Sequence, residues 1–456
     1  MQKDITDRLN TLTEDLREVM KETFEEAWPL VDQVDTELRD LEEATQVAMK
    51  KVGRSFLEAL VSACQPEERE ETVACRCGGT ATFERNRTGT VITVFDQLEF
   101  TRAYYLCPEC HTGTYPLDER LGLCAGGLSA ALQETLALVG LHVPFERSSE
   151  LVERLIQVSI SDNGVREATE HIGQERLEAE QALIEAAWDV ERLELPRGPE
   201  PTPDRLYGSM DGTTVRTKAG WREAKLGSWY TTDEPPPDSP VAEWTPQAEA
   251  ITYYGDIQKA EAFGRLMYLT GRQQGAHDAE ELIFIADGAK WIWNVVEEHF
   301  PDAVQIVDWY HATEYIWKVA HALYGEGSEA SKEWATARID ALWAGKHQQV
   351  VHAFRAHVNP DLADDPAQQA LTYFENNRHR MRYPEFRAQG YQIGSGTIES
   401  GCKRVIGARL KQAGMTWTVT GARHMIKARS LYLSSEWDDF CSQRRPPLRT
   451  YSRCAA

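Results

Sequence analysis

The chain lacks any apolar run near the ~18 residues that a membrane-spanning helix needs, so no transmembrane segment is expected in its 456 residues. It is also poor in positive charge: 49 Lys and Arg stand against 72 Asp and Glu, a net of −23. That balance excludes a protein coated in positive charge for nucleic acid, but it leaves room for a local basic surface. Repeats and low-complexity tracts are missing, and 42% hydrophobic with 27% charged content excludes global disorder. The first twenty residues, MQKDITDRLNTLTEDLREVM, are charged throughout and do not read as a secretory signal. A cytoplasmic location is expected.

What is present is unevenly spread. Residues 1–70 hold 9 Lys and Arg against 18 acids, whereas residues 366–456 hold 15 against 6. A basic last quarter on an acidic protein points to a polyanion handled at one place, with chance variation in surface charge as the plain alternative. The nine cysteines are odd in number, so disulfides are not expected and clustered cysteines read as metal ligands.

Residues 3–63 read as helix. Ile5, Leu9, Leu12, Leu16 and Val19, then Val31, Val34, Leu38 and Leu41, recur at steps of three and four, with Pro29 between the two stripes. A dimerising coiled coil and a helical hairpin packed on its own chain fit equally well. The cysteine pairs and strand-like stretches at 90–95 and 98–106 follow. Residues 148–173 give a helix, a break at 159–163 and a second helix. This pattern is helix-turn-helix-like, although a simple helical hairpin has the same signature. Pro196, Pro199, Pro201 and Pro203 then mark the clearest domain boundary. Beyond it, strands are expected at 206–210, 224–231, 250–255, 282–286 and 304–307, with helices at 259–281 and 289–299. The expected division is a helical N-terminal region (1–70), a zinc-binding β module (71–125), a helical segment (126–195), a core in two parts (206–311 and 393–456) and an all-helical insertion (312–392).

Asp211, Asp287 and Asp308 each close an apolar run that reads as a strand, and ligand sites of α/β sheets lie at such strand ends. Glu399 follows a loop in which Gly394, Gly396 and Gly401 permit close backbone approach. Carboxylates converging in an apolar core are costly unless a cation neutralises them. Hard oxygen donors select Mg²⁺ or Mn²⁺, and a metal pair ~3.5–4 Å apart suits in-line displacement at phosphorus. Taken singly, each Asp could equally cap the next helix.

The order strand, strand, strand, helix, strand, helix, strand is the layout of the ribonuclease-H-like fold. The words SMDGTTV, FIADGAKWIWNVVEEHFP and IGSGTIESGCKRVIGARLKQAGMTW go further. They resemble bacterial DDE transposases of the ISKra type, within the Mutator-like group, over roughly residues 72–440. The resemblance implies cleavage of insertion-sequence ends and joining of the 3′-OH to target DNA. It implies Asp211, Asp287 and Glu399 as the catalytic triad on two Mg²⁺ or Mn²⁺ ions. Asp308 and His311, in DWYH, match an Asp-x-x-His signature and are expected as outer-shell partners, with Asp308 the one rival to Asp287. Lys403, Arg404, Arg409 and Lys411 follow Glu399 on one expected helix, where they would meet phosphates. Trp417 is the candidate for stacking on a base.

The resemblance also implies a small zinc module ahead of the core. Cys107 and Cys110 form a C-x-x-C pair, whereas Cys75 and Cys77 form C-x-C, one residue short, with His111 or Cys64 as possible substitutes for Cys75. One structural Zn²⁺ on four thiolates is expected, against reduced cysteines on a hairpin. Cys64, Cys124, Cys402, Cys441 and Cys454 have no partners at metal spacing. The implied partners are double-stranded DNA (terminal inverted repeats and target) and further copies of the chain, as a homodimer or larger synaptic assembly. No membrane partner is expected, and the location would be cytoplasmic, associated with the nucleoid. The competing readings are a metal-dependent nuclease on the same fold and a non-catalytic DNA-binding regulator.

Overall fold

The computed structural model describes residues 2–66, 69–123, 127–191, 193–233, 245–444 and 451–452, and from these the side chains of 2–9, 11, 12, 451 and 452 are excluded. Ile5, Leu9, Leu12, Cys124 and Cys454 therefore lie outside the described side chains. The chain forms two units, Met1–Thr169 with Cys441–Ala456, and Glu170–Phe440.

In the first unit, helices α1 (Gln2–Ala27) and α2 (Leu38–Ala63) are separated by a 3-10 turn, Trp28–Leu30, with Pro29 in its first turn. A capping box between Glu37 and Asp40 opens α2, and Lys51 reaches back to Glu26, so the helices form a hairpin on their own chain. An antiparallel sheet follows: β1 (Thr72–Ala74), β2 (Thr80–Thr93), β3 (Asp96–Leu106) and β4 (Thr112–Thr114), with Tyr451–Ser452 on its edge. Arg102 of β3 forms a buried ion pair at 2.7 Å with Asp118, which lies beyond β4. Helices α3 (Pro116–Arg120), α4 (Ala130–His142) and α5 (Phe145–Ile156) lead to α6 (Asp162–Trp188).

Helix α6 runs unbroken through Gly173, the last residue of the helix–break–helix stretch 148–173. Gly173 serves packing: a Cβ there would lie 1.9 Å from the His424 carbonyl oxygen. The unit boundary also falls inside α6 rather than at the prolines. The proline run instead packs on the second unit, where Arg272 donates to the Pro196 carbonyl and Pro203 lies against Gly275.

The second unit is built on β5 (Arg205–Thr217), β6 (Gly220–Thr232), β7 (Ala248–Asp256), α7 (Ala260–Gln273), β8 (Glu281–Ala286), α8 (Lys290–His299) and β9 (Val304–Val307). The sheet order is β7-β6-β5-β8-β9; β6 alone runs against the others. Strand β8, with Ile283 to Ala286 all buried, is the continuous apolar run of a parallel strand covered on both faces. Residues 309–388 hold only helices: α9 (Trp309–Tyr324), α10 (Glu329–Trp343), α11 (His347–Arg355), α12 (Pro366–Asn376), a 3-10 turn (Arg378–Arg380) and α13 (Tyr383–Ala388). Helix α14 (Gly396–Gly401) continues through a π-helical turn, Cys402–Gly407, into α15 (Ala408–Leu410), and α16 (Val419–Leu433) and α17 (Trp437–Gln443) follow. Buried Lys427 lies between Glu180 and Asp256, fastening α16 to α6 and β7. No helix among the described residues is long and apolar enough to cross a membrane.

Candidate metal centres

Strand register brings the acids together. Gly208 of β5 pairs with Phe284 of β8, and Ala286 of β8 pairs with Val307 of β9. Carried forward, that register sets Asp211, Asp287 and Asp308 on one level of three neighbouring strands, which lie ~4.8 Å apart. Asp211 does not end its strand, as the sequence suggested. β5 continues to Thr217, with Asp211 paired to Leu226 of β6. The row still lies at the carboxyl edge of the parallel part, because β8 and β9 stop just before it.

The three acids have different surroundings. Asp308 is fully buried and caps α9: its Oδ1 accepts the His311 backbone N–H at 2.6 Å and faces His311 Nδ1 at 3.0 Å. Its Oδ2 accepts the Ser395 backbone N–H. Ser395 Oγ in turn donates to Glu399 at 3.1 Å, so Asp308 braces the loop that carries Glu399. Donor atoms of Asp308, His311 and Glu399 all lie within 4.8 Å of one another. Asp287 has one backbone donor, Ala289 N–H at 2.9 Å, and Asp211 accepts Gly212 N–H at 2.7 Å.

These differences set the charges. Burial raises the Asp287 carboxyl, and the charges of Asp211 and Asp308 raise it further against the Ala289 N–H and His311. Burial would raise Asp308 too, but its hydrogen bonds with His311 and Ser395 outweigh it and hold the carboxyl low. The Asp308 hydrogen bond lifts His311 to about 9 against the opposing effect of burial. Burial and the neighbouring Asp211 push the Cys402 thiol far up, so it is a neutral donor beside Asp211 rather than a nucleophile. Among the described residues, the acidic group close enough to hold a metal ion is Asp308, His311 and Glu399; Asp211 and Asp287 are not part of it, although the neighbouring acids leave the Asp287 carboxyl raised.

The motif glycines divide. At Gly401 a Cβ would lie 2.5 Å from the Tyr253 ring, and at Gly394 it would lie 3.1 Å from Tyr310. Gly396 has no atom within 4 Å of that position, so close approach does not account for it. Ser395, between two motif glycines, is a site residue that sequence reasoning misses: it links Asp308 to Glu399.

The expected phosphate contacts divide as well. Lys403, Arg404 and Lys411 are exposed. Arg409 is 1% exposed and Trp417 is 8% exposed, so neither presents a surface to DNA in this fold. The Arg409 guanidinium lies 5.0 Å from the Trp417 ring centroid, and the Trp417 indole N–H donates to the Leu410 carbonyl. The π-helical turn explains this departure, because its wider winding rotates later positions relative to an α-helix that starts at Glu399. Lys411 lies past the last helical residue, Leu410, and so is not on that helix.

In the first unit, Cys75, Cys77, Cys107 and Cys110 form one cluster that could hold a metal ion. Cys75 and Cys110 sulfurs are 3.5 Å apart, and those of Cys77 and Cys107 are 3.7 Å apart. Tetrahedral Zn–S bonds of ~2.3 Å require sulfurs ~3.8 Å apart, so the group fits a zinc-like ion. Thr112 hydrogen bonds draw the Cys110 thiol down to about 6, within reach of thiolate at neutral pH. Cys75 completes the set despite the short spacing. Gly78, at φ +91°, returns its N–H to the Cys75 carbonyl and folds the missing residue into a tight turn. Cys64 packs instead against a separate apolar cluster, and His111 is not part of the group.

A family described as an uncharacterised protein family (UPF0236) matches residues 32–188. The match covers about a third of the chain, including the four clustered cysteines but none of the carboxylates. No curated protein matches the chain.

Proposed function

We propose that the protein is a DDE transposase of the ISKra type that cuts the ends of an insertion sequence and joins the freed 3′-OH to target DNA. The observation that carries this reading is the sheet, ordered β7-β6-β5-β8-β9 with β6 alone reversed, and the level it gives Asp211 and Asp287. That order supports a ribonuclease-H-like core, in which residues 312–392 would be a helical insertion before Glu399. The four-cysteine cluster would be a zinc-ribbon-like module holding one structural Zn²⁺.

Asp211, Asp287 and Glu399 would hold two Mg²⁺ or Mn²⁺ ions, which when bound would supply Lewis-acid chemistry for the attacking and leaving oxygens. Water attacks the phosphorus at the element end, and the bond to the 3′ oxygen breaks to leave a 3′-OH. That oxygen then attacks a target phosphorus, forming a new ester as the target's own 3′ oxygen leaves. Asp308 has both oxygens engaged and acts by positioning Glu399 through Ser395. His311, cationic up to about pH 9, can donate to a phosphate oxygen. Lys403, Arg404 and Lys411 would meet the backbone of the bound end. Exposed Phe24, Trp28, Val34 and Leu38 on the N-terminal hairpin favour a homodimer or larger synaptic assembly. The working place would be the cytoplasm, at the nucleoid.

The test is incubation with Mn²⁺ and a supercoiled plasmid carrying the inverted repeats that flank the gene. Joined products are expected. Cuts without joining would make the protein a nuclease, and a mobility shift without cuts would make it a regulator.

A further inference from the structure

The hairpin between β5 and β6 ends in an exposed cluster that catalysis leaves unused. Trp221 is 66% exposed, and Arg216, Lys218 and Arg222 beside it are exposed too. Trp221, Arg216 and Lys411 help line a shallow groove of about 380 Å³. Among the described residues no ion pair is made by Arg216, Lys218, Arg222 or Lys411, and the nearby acid Glu223 is taken by Lys225. The tip is held from below. Lys218 N–H donates to the Trp417 carbonyl at 2.8 Å, and Trp417 N–H donates to the Arg216 carbonyl at 3.2 Å. Trp417 thus pins the loop after Leu410 to the hairpin, and the aromatic that faces solvent is Trp221. The cations also reach back toward the carboxylates, because Lys411 bonds to Thr213, two residues beyond Asp211.

Resting on the DNA-handling reading above, we propose that Arg216, Lys218, Trp221 and Arg222 form a second contact with duplex DNA, remote from the cleaved phosphate. Arg216, Lys218 and Arg222, three cations outside any ion pair among the described residues on a chain of net charge −23, complement a phosphate backbone, and Trp221 can cover the apolar faces of its sugars. The spacing follows from the strand. Lys218 lies seven steps along the strand from Asp211, and at ~3.3 Å a step the tip stands ~23 Å from the carboxylates. At ~3.4 Å per base pair the contact falls about seven base pairs from the cut.

The experiment measures binding of the full-length protein to a fluorescent 30-base-pair duplex by anisotropy across a NaCl series. It compares wild type, the triple variant Arg216→Ala/Lys218→Ala/Arg222→Ala, Trp221→Ala and Asp287→Asn. The triple variant is expected to lose about 10–100-fold in affinity at 0.1 M salt and to flatten the salt slope by about two to three. Trp221→Ala should weaken binding with the slope kept, and melting temperature should change little for either. A triple variant that melts like wild type yet keeps the full slope overturns the proposal. If polyglutamate binds wild type and is lost by the triple variant while the DNA slope stays, the surface takes an acidic polypeptide and the proposal also fails. If wild type and Asp287→Asn both bind no duplex, the transposase reading fails with it; if both bind and the hairpin variants bind equally well, the hairpin proposal fails alone.

Discussion

Asp308→Ala removes a buried carboxylate that caps a helix, pairs with His311 and fixes Ser395. The lost cap costs about 1 kcal/mol. The Ser395 N–H, left buried without its acceptor, costs about 1–3 kcal/mol, and the charged bonds to His311 add to this without being additive. Relief of repulsion at Asp287 offsets part of the sum, at most about 3 kcal/mol for charges ~5 Å apart at an effective dielectric of 20. A net loss of about 2–4 kcal/mol is expected near pH 6. The pH dependence is diagnostic. Asp308 is held low, so its contribution is present above the ordinary carboxylate pKa of 3.8 and is lost as pH falls through its folded value. His311 is raised, so its contribution is complete below 6.5 and is lost as pH rises through about 9. Because the His311 side chain is 35% exposed, solvent screening reduces its share to about 1–2 kcal/mol. The variant's deficit should therefore shrink by that amount between pH 6 and pH 9.5. Tryptophan fluorescence in urea with EDTA is a suitable assay, because twelve of the thirteen tryptophans lie in residues 170–440. A deficit under about 1 kcal/mol, or one that ignores pH, would refute the bracing role of Asp308.

Asp287→Asn should abolish cleavage but raise the melting temperature in EDTA at pH 8. Its raised carboxyl contributes fully only below the ordinary pKa and loses that contribution as pH rises through the folded value, so the gain should vanish toward pH 4. Cys107→Ser should lose about one zinc per chain by elemental analysis and unfold the first unit locally; full stability without metal would remove the zinc site. His311→Ala should slow single-turnover cleavage about 10–100-fold with end binding retained, and unchanged rates would leave it a structural histidine. Lys427→Met leaves Glu180 and Asp256 facing each other inside the protein and should cost about 3–5 kcal/mol in urea denaturation; a neutral effect would mean that Arg176 and Arg423 suffice for those acids.

The strands of the second unit were legible because their apolar runs are short and end in Asp or turn residues. The four cysteines were legible because pairing survives a one-residue change in spacing. Other features were hidden for definite reasons. Nothing in the sequence marks Gly173 as a packing position, and only the approach of the His424 backbone reveals it. Prolines read as a linker, although here they lie along the unit that follows. The π-helical turn leaves no periodic signal in CKRVIG, so the sequence alone presents Arg409 as an outward-facing cation although it is buried. Only the hydrogen bonds of Trp417 to the Arg216, Lys218 and Leu410 backbone show that it is held inside while Trp221 faces solvent.

The last prediction separates Asp287 from Asp308, which the sequence presents in the same way: an apolar strand, then Asp, then a helix. Neighbouring charges on one sheet level repel by about 3 kcal/mol at ~5 Å and an effective dielectric of 20, so the fold cannot leave all three alike. It spends its internal donors on one. Asp308 takes the His311 N–H, the His311 ring and the Ser395 N–H, whereas Asp287 takes only the Ala289 N–H. An acid already satisfied by protein donors has little left for a cation, and an acid left raised by its neighbours gains most from one. Asp287→Ala should therefore abolish cleavage and joining with the protein still folded, while Asp308→Ala should lose stability and retain residual, metal-responsive cleavage. Single-turnover cleavage of an end fragment by both variants, with binding checked separately, decides the matter. If Asp308→Ala is dead though folded and Asp287→Ala stays active, the metal lies one strand further along the sheet and donor count is the wrong guide to it.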